Sequence, residues 1–335
     1  MLNPYKRGFQ TMAKWIDRFR TMADSRLPGL RGPERLALLL DSRFEDTFLG
    51  VPVEDFFVFE FYLRNRRGRR AFATGNKLWR LYDSLNDRNC WERIDFKTNL
   101  WDNYHSLMKR DHVCTGTANY EEFRAFTVRH PRFFAKPADK DCGIGCKILT
   151  CGSDTEAREV YSQLHAENYV AEELVRQCKE LEEFNASTLN TLRVISYVDK
   201  QGAPHLLSYG VLRLGRSGKV ADNFGGGNEG ICCPVDILRG CVAGYACDYR
   251  GNHYTEHPDS GKRIIGFQIP AWDKVCAVVK QAAQICPKLR MIGWDIAITE
   301  SYEAILIEGN RRPSPASYQL DLVGKWQAIQ DMLSE

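Results

Sequence analysis

The residues best suited to chemistry are acidic side chains in two apolar runs near the carboxyl end of the chain. The first run, residues 292–298, carries Asp295, and the second carries Glu308 and Asn310. Side chains alternate along a strand, so Glu308 and Asn310 share one face. If a symmetric four-residue turn joins the two runs, Asp295 lies directly opposite Glu308.

Two carboxylates that face each other across a strand pair repel, and such like-charge pairs destabilise a sheet. A divalent cation removes the conflict, and two carboxylates with an amide oxygen suit Mg²⁺. The sequence therefore predicts a metal site at Asp295, Glu308 and Asn310; the alternative is that one carboxylate simply faces water. On this hypothesis, converting Asp295 or Glu308 to its amide leaves the metal-free protein as stable as before, or more stable.

A second candidate is a polar loop that follows a strand ending in lysine. Residues 134–147 read FAKPADKDCGIGCK, with Lys136 in the strand and Gly143 and Gly145 in the loop. Glycines let backbone N–H groups approach phosphate oxygens closely, and a lysine adds a point charge. This stretch suits either a phosphate-binding loop or a plain hairpin turn. It matches neither the Walker A pattern nor GxGxxG at a helix start.

Arg193 is a third candidate because it interrupts an otherwise apolar strand. A lone arginine in such a strand usually extends to the sheet edge. Next to the lysine and the acidic runs, however, it would be a further cation facing phosphate.

The composition is that of an ordinary globular protein. The chain has 335 residues, of which 44% are hydrophobic and 27% charged, and these values exclude wholesale disorder. The formal net charge of +3 combines +5 in residues 1–75 with −2 in the remaining 260 residues, and this mildly acidic remainder argues against a protein built to wrap a polyanion. No apolar run approaches the roughly 20 residues of a membrane span. The N-terminus lacks the pattern of a secretory signal, so a cytoplasmic location is expected by default.

Two groups of residues have a structural and a functional interpretation. Residues 64–70 contain five arginines, which indicate a solvated helix end more often than a docking site for nucleic acid or anionic lipid. The 12 cysteines form no CxxC pair, and without an export signal all are interpreted as reduced packing residues. Cys232, Cys233, Cys241 and Cys247 lie close in sequence, but adjacent cysteines rarely ligate one ion together.

Periodicity divides the chain into a helical and a mixed part. Apolar residues at 12, 15, 16, 19 and 22 predict one helix, and Pro33 is placed to start another, with Leu36, Leu40, Phe44 and Phe48 on one side. From residue 132 onward, short apolar or alternating runs predict strands, with helices between them. The expected class is α+β, without a regular βαβ alternation.

These fragments, in this order, resemble the ATP-grasp superfamily, and most closely its sugar-transfer-associated branch, which is related to α-L-glutamate ligases. The resemblance runs from about residue 95 to 315. It rests on FAKPADKDCGIGCKIL, EELVRQ, FNASTLNTLRV, DNFGGG, EHPDSG and IGWDIAIT followed by ILIEGNRRP. It implies an α-helical N-terminal cap over residues 1–95 and an ATP-grasp domain over residues 96–335. In that domain two α+β subdomains, about 115–172 and 173–325, clasp ATP.

The resemblance also implies roles for individual residues. The implied cofactor-binding residues are Lys136, Gly143, Gly145, Lys147, Glu172, Glu173, Leu174, Gln177 and Glu180. The implied catalytic residues are Arg193, which steadies the γ-phosphate or acyl phosphate, Lys136, and Arg311, which with Arg312 meets an anionic substrate. The implied Mg²⁺ ligands are Asp295, Glu308 and Asn310, the same three residues that the strand pattern predicts.

One departure concerns a second nucleotide lysine, which many ATP-grasp enzymes carry in the helix before the phosphate loop. Residues 101–104 read WDNY and offer no lysine there, so either Lys109 or Lys147 substitutes or the affinity for the nucleotide is lower. The implied activity is an ATP- and Mg²⁺-dependent carboxylate–amine ligase that forms an acyl phosphate. Its partners would be a small carboxylate and a small amine, amino acids or sugar-linked compounds among them, rather than nucleic acid. The alternatives are a kinase-like phosphotransferase on the same fold and a non-catalytic nucleotide- or polyanion-binding protein.

Overall fold

A computed structural model describes residues 12–140, 143–224 and 229–334. Within these residues, the α-helices are α1 (Met12–Arg26), α2 (Gly32–Phe44), α3 (Val53–Val58), α4 (Arg66–Arg70), α5 (Gly75–Leu85), α6 (Glu92–Asp95), α7 (Lys97–Met108), α8 (Tyr120–Arg129), α9 (Asp154–Ala166), α10 (Lys179–Glu182), α11 (Trp272–Ile285), α12 (Ala316–Gln319) and α13 (Trp326–Ser334). The strands are β1 (His112–Cys114), β2 (Arg132–Pro137), β3 (Lys147–Thr150), β4 (Tyr169–Glu173), β5 (Thr191–Val198), β6 (Pro204–Leu206), β7 (Tyr209–Leu214), β8 (Ile231–Asp236), β9 (Cys241–Val242), β10 (Ala246–Cys247), β11 (His253–Tyr254), β12 (Met291–Ile298) and β13 (Ala304–Asn310).

Two antiparallel sheets organise the molecule. The smaller sheet has the strand order β1-β4-β2-β3, and α8 and α9 pack against it. The larger sheet has the order β11-β10-β8-β7-β5-β12-β13, with β6 paired to β5 and β9 to β8. All these strand pairs are antiparallel, as an α+β architecture without βαβ alternation requires.

The larger sheet is covered on both faces, which explains why its central strands are almost wholly apolar. Every residue of β12 is buried. On one face Val194 and Trp294 pack against α7 and α11. On the other face Ile195 and Met291 pack against α5 and α13. A strand buried on both sides reads as a continuous apolar run, so a charged residue within it needs a partner.

The N-terminal helices lie on the second face of the larger sheet. As predicted, α1 buries Trp15, Phe19 and Met22. Their cluster includes Val211 of β7, so these helices share a core with the sheet. Residues 1–11 of the cap predicted over residues 1–95 lie outside the described residues.

The sequence predicts that the cysteines are packing residues of the core. In the core, Cys232 and Cys247 face each other across β8 and β10, and burial raises the pKa of the Cys232 thiol to about 12. Burial likewise raises the pKa of the Cys233 thiol. These buried thiols pack as apolar side chains.

Among the described residues, no helix combines the length and the apolar character needed to cross a membrane.

Candidate functional site

A cavity of about 1180 Å³ lies between the two sheets. Its lining includes β2 and β4 from the smaller sheet and β5, β7, β12 and β13 from the larger one. Residues 174–177, which connect β4 to the following helix, line it as well. A cavity of this volume exceeds the range of ordinary small-ligand pockets, so it can take a large ligand together with a second, smaller one.

On the side of the smaller sheet, Lys136 and Glu172 form a buried ion pair. The Lys136 Nζ lies 2.6 Å from Glu172 Oε1, and Arg110 donates from Nη2 to Glu172 Oε2 at 2.9 Å. Trp101 donates its indole N–H to the same carboxylate at 2.9 Å. Burial raises the pKa of Glu172, but the charges of Arg110 and Lys136 outweigh it and lower the pKa to about 2. Glu172 is therefore ionised at neutral pH and holds the ammonium of Lys136.

On the side of the larger sheet, two arginines hold Asp295. Arg193 lies directly opposite on β5 and donates from Nε to Oδ1 and from Nη2 to Oδ2, the latter at 2.7 Å. The Nη2 of Arg213, on β7, lies 2.7 Å from the same Oδ2. Burial raises the pKa of Asp295, but the two guanidinium groups outweigh it and the pKa is lowered. Two guanidinium groups thus neutralise the charge of Asp295. This corrects the expectation that only a metal ion relieves the repulsion between Asp295 and Glu308.

Asp222 and Thr191 extend this cluster. The Asp222 Oδ2 accepts hydrogen bonds from the backbone N–H of Thr191 at 2.9 Å and from its hydroxyl at 2.5 Å. Arg213 donates to the Thr191 hydroxyl oxygen at 2.7 Å, and its Nε lies 3.6 Å from Asp222 Oδ2. Burial raises the pKa of Asp222 despite the nearby guanidinium of Arg213. Through its hydrogen bonds to Thr191 and its own proximity to the guanidinium, Asp222 holds Arg213 at the cavity wall.

The predicted pairing of Asp295 with Glu308 is confirmed, but by a different geometry. Near the turn, Ile296 pairs with Leu306 and Ile298 pairs with Ala304. Asp295 nevertheless pairs with Glu308, so Ile307 is the extra residue of a β-bulge. The bulge, rather than a symmetric four-residue turn, brings the two carboxylates face to face.

Glu308 and Asn310 are the two other residues predicted to ligate the metal. The Glu308 Oε1 lies 3.9 Å from Lys97 Nζ, which also donates to the Lys140 carbonyl at 2.5 Å. Burial and the nearby Asp295 raise the pKa of Glu308, although the ammonium of Lys97 opposes them. The buried Nδ2 of Asn310 has no hydrogen-bond partner.

The donor set at this site fits Mg²⁺. Asp295, Glu308 and Asn310 offer only oxygen ligands once the Asn310 amide presents its oxygen, and Mg²⁺ prefers such ligands. The atom without a hydrogen-bond partner among the described residues is the amide nitrogen, a donor, so the Asn310 amide would have to turn over to present its oxygen to the metal. Asp295 would have to release one of its arginines to coordinate the metal.

Comparison with known families decides what kind of protein carries this cavity. A family model described as sugar-transfer associated ATP-grasp matches residues 79–330, which is well over half of the chain. The protein belongs to this family. Its architecture is therefore the ATP-grasp fold, α+β with an N-terminal helical region, and the predictions of family and fold class are confirmed.

Comparisons with single proteins are more distant. A search of curated proteins found no match. Among solved structures, PurK, an N5-carboxyaminoimidazole ribonucleotide synthetase in complex with ADP, is 11% identical, with a TM-score of 0.43 over 67% of this chain and 46% of that one. The ATP-grasp ligase PsnB with its minimal precursor, Mg and ADP is 14% identical, with a TM-score of 0.38 over 68% and 53%. Carboxyaminoimidazole ribonucleotide synthase from Aspergillus clavatus with ATP is 14% identical, with a TM-score of 0.41 over 72% and 52%. The chain spans about half the length of these solved proteins.

Most of the residues that the resemblance to ATP-grasp proteins implies lie together at the cavity. Gly143 lines it, although residues 141 and 142 of the same loop lie outside the described residues, as do glycines 225–227 of DNFGGG. Glu173, Leu174 and Gln177 line it too. The Gln177 amide group donates to the carbonyls of residues 185 and 188 and accepts from the N–H of residue 190, so it organises the cavity wall.

Five other implied residues, Asn310 among them, lie outside the cavity lining. Gly145 has φ of +79°, and a Cβ there would lie 2.9 Å from Pro137 Cγ, so only glycine fits. The Lys147 ammonium lies 4.7 Å from the ring centre of Tyr169. Glu180 accepts from the Tyr302 hydroxyl at 3.1 Å at the surface. Arg193 lies behind Asp295, which itself lines the cavity.

Arg311 and Arg312 point to a different part of the molecule. The Arg311 Nε donates to Asp95 at 2.6 Å, and its guanidinium lies 4.1 Å from the ring centre of Trp91. Arg312 pairs with Asp83 at 2.6 Å. Neither arginine lines the cavity, so an encounter with an anionic substrate would require both to leave these partners.

The sequence analysis did not identify Lys97, Arg110 and Arg213, which line the cavity. Lys97 is the first residue of α7, one turn before the 101–104 segment in which an ATP-grasp lysine was expected, and it is 93% buried. Lys109, by contrast, is at the other end of α7 and lies 3.5 Å from Glu303. A lysine at a helix start next to the glycine loop is the signal that could have found Lys97.

Proposed function

We propose that this chain is an ATP- and Mg²⁺-dependent carboxylate–amine ligase that works through an acyl phosphate. The observation that carries the proposal is the set of charged side chains that line the cavity. Two buried lysines, Lys97 and Lys136, and the largely buried Arg213 line the same space as the facing carboxylates of residues 295 and 308. Cations for a polyphosphate and oxygen ligands for its metal are what ATP-dependent acyl activation needs.

The nucleotide is proposed to lie between residues of about 115–172 and 173–325, with residues 1–95 as a cap on the larger sheet. The base would lie against residues 172–174, where the chain crosses from one sheet to the other. Its phosphates would extend past Lys136 and Lys97 under the loop that contains Gly143.

In the first step, a carboxylate oxygen of the substrate attacks the γ-phosphorus. The bond between the γ-phosphorus and the bridging oxygen breaks, and ADP leaves. Lys136, Lys97 and Arg213 stabilise the negative charge that spreads over the phosphate oxygens, which is positioning and electrostatic catalysis. Mg²⁺, held by Asp295, Glu308 and Asn310, would supply further neutralisation of the β- and γ-phosphates.

In the second step, the amine nitrogen attacks the carbonyl carbon of the acyl phosphate. Inorganic phosphate leaves with the bonding electrons, the nitrogen loses its extra proton, and an amide remains. Arg213, which lines the cavity, would hold the phosphate as it leaves, and Arg193 would join it once Asp295 releases it, because each offers a planar fork of N–H donors. No covalent nucleophile of the protein is required.

The ion pairs at the cavity wall support this proposal. Lys136 is bound to Glu172, and both arginines are bound to Asp295. A triphosphate offers these cations new anionic partners, and the arginines can then release Asp295 to the metal. The site can therefore keep its charges balanced both before and after the ligands bind, which avoids an unpaired buried charge.

A screen of phosphate release tests the proposal. Purified protein with Mg²⁺ and ATP is combined with amino acids and organic acids, crossed with amine acceptors. We expect release that requires an acid and an amine together and stops when either is omitted. Release that needs only a hydroxyl acceptor would support the phosphotransferase instead. Binding to polyanions with a steep salt dependence and no ATP turnover would support the non-catalytic alternative.

The glycine loop should respond to the nucleotide. Its described ends are anchored, since Lys97 donates to the carbonyl of Lys140 and Tyr169 donates to that of Gly145 at 3.1 Å. Between these anchors Ile144 is 55% exposed, so the loop buries little apolar surface. In hydrogen exchange, ATP with Mg²⁺ is expected to protect peptides spanning residues 139–146. Peptides from α9, away from the cavity, are the control; equal exchange of the loop with and without ATP would indicate a plain hairpin.

A further inference from the structure

An apolar stripe on the N-terminal helices faces solvent. Leu36, Leu40, Phe44 and Phe48 are 57%, 60%, 37% and 66% exposed. They are spaced four residues apart, which places them next to one another along one helix. Single exposed apolar residues are common at protein surfaces, whereas a contiguous row of leucine and phenylalanine side chains indicates a contact surface.

The helix geometry keeps this row aligned. Residues Glu45–Leu49 continue α2 as a π-helix. Residues four positions apart make slightly more than one turn of an α-helix but slightly less than one turn of a π-helix, which has more residues per turn. Their displacement around the helix axis therefore has opposite directions in the two kinds of helix. Phe48 consequently returns to the side of Phe44, and their ring centres are 4.9 Å apart.

A basic segment lies against the same helix. Arg69 of α4 is buried and pairs with Asp41 at 2.5 Å and with Glu45 at 2.9 Å, which fastens α4 to α2. The guanidinium of Arg66 lies 4.9 Å from the ring centre of Phe44. Arg67 is exposed as well. Arg69 is therefore structural, whereas Arg66 and Arg67 add positive charge beside the apolar row.

We propose that this α2–α4 surface, formed by Leu36, Leu40, Phe44, Phe48, Arg66 and Arg67, binds the surface of an anionic lipid bilayer. The apolar side chains would enter the boundary of the acyl chains, while the arginines meet lipid phosphates. Apolar residues on one face and cations beside them are the features by which helices lie on anionic membranes.

The charge of the surface favours lipid over other occupants. In a two-fold dimer the same surface would meet itself, so one interface would gather the arginines of both copies. Nucleic acid would pair with the arginines but leave Leu36 and Leu40 in water. An anionic bilayer satisfies both halves of the surface.

Vesicle flotation of the full chain tests this proposal. The probes are vesicles of phosphatidylcholine alone and of phosphatidylcholine with 30% phosphatidylglycerol. The variants are Leu40→Ser with Phe48→Ser, and Arg66→Gln with Arg67→Gln. The matched control is Leu238→Ser with Arg239→Gln, which changes an 87% exposed leucine and a neighbouring arginine in the turn after β8. All four side chains in the test variants are exposed, so the variants are expected to fold, and circular dichroism with thermal unfolding verifies this.

We expect binding to the anionic vesicles, reduced about 10-fold or more by either test variant and unchanged by the control. Binding should also weaken with added salt and on neutral vesicles. The proposal is overturned if the wild-type protein stays unbound to anionic vesicles, or if the test variants bind as the control does. It is also overturned if the protein forms a dimer that Leu40→Ser with Phe48→Ser dissociates, without vesicle binding. Because flotation needs no ATP turnover, its outcome is independent of the proposed ligase activity.

Discussion

Replacing Asp295 by asparagine is expected to destabilise the protein by about 3–5 kcal/mol and to abolish Mg²⁺-dependent ATP turnover. The carboxylate is the shared anion of Arg193 and Arg213, and only 1% of the residue is exposed. An amide in its place removes the carboxylate that Arg193 is bound to and leaves Arg213 with Asp222 alone, while the two largely buried guanidinium groups stay close together. Denaturant unfolding in metal-free buffer measures the loss of stability, and an ATP turnover assay measures the loss of activity.

Glu308→Gln is the matched control for this effect. Glu308 faces Asp295 and is paired only loosely, with Lys97 at 3.9 Å, and burial together with Asp295 raises its pKa although Lys97, Lys136 and Arg193 oppose this. Its amide variant is expected to unfold at about the same denaturant concentration as the wild type, yet to lose Mg²⁺-dependent turnover. If Asp295→Asn proves as stable as the wild type without metal, the repulsion between the two carboxylates dominates, and the two-arginine cluster does not stabilise the fold.

Replacing Lys97 by methionine is expected to weaken the binding of ADP with Mg²⁺ by about 10²-fold. Its ammonium lies in the cavity next to the glycine loop, where a charge-assisted hydrogen bond to phosphate contributes about 1.5–3 kcal/mol. Methionine preserves the apolar part of the side chain. Isothermal titration calorimetry with ADP and Mg²⁺ measures the change in affinity.

Lys109→Met and Lys147→Met are the controls for this prediction. Lys109 lies beside Glu303, and Lys147 lies over the ring of Tyr169, so neither lines the cavity. Both variants are expected to bind the nucleotide with nearly wild-type affinity. A large loss with Lys109→Met or Lys147→Met, and none with Lys97→Met, would restore the original hypothesis that one of them replaces the expected lysine.

The strongly patterned parts of this fold were predictable from sequence. Residues 191–198 and 304–310 are long, mainly apolar runs, the pattern that predicts strands, and they form β5 and β13. Ser153 and Glu156 have the spacing of a capping box, and α9 begins there. The strands β1 and β8 to β11 were missed. Of these, β9 to β11 have only two residues each, which is too short for periodicity to show.

The candidate site was predictable only in part, because its partners come from different strands. Asp295 and Glu308 were identified by acidic residues in apolar strands, and the structure places them opposite each other. Arg213 is adjacent to them only through the order β7-β5-β12, which a single sequence does not reveal. The neutralisation of Asp295 was therefore missed, and with it the stability that its replacement removes.

The most direct test of the proposed acyl phosphate is oxygen transfer. A carboxylate labelled with ¹⁸O in both oxygens is supplied with the amine that supports phosphate release, together with ATP and Mg²⁺. Attack of the carboxylate on the γ-phosphorus predicts one ¹⁸O in each inorganic phosphate, detected by mass spectrometry, in step with amide formation. Phosphate without the label, or with an oxygen from solvent water, would contradict activation of the carboxylate by this site.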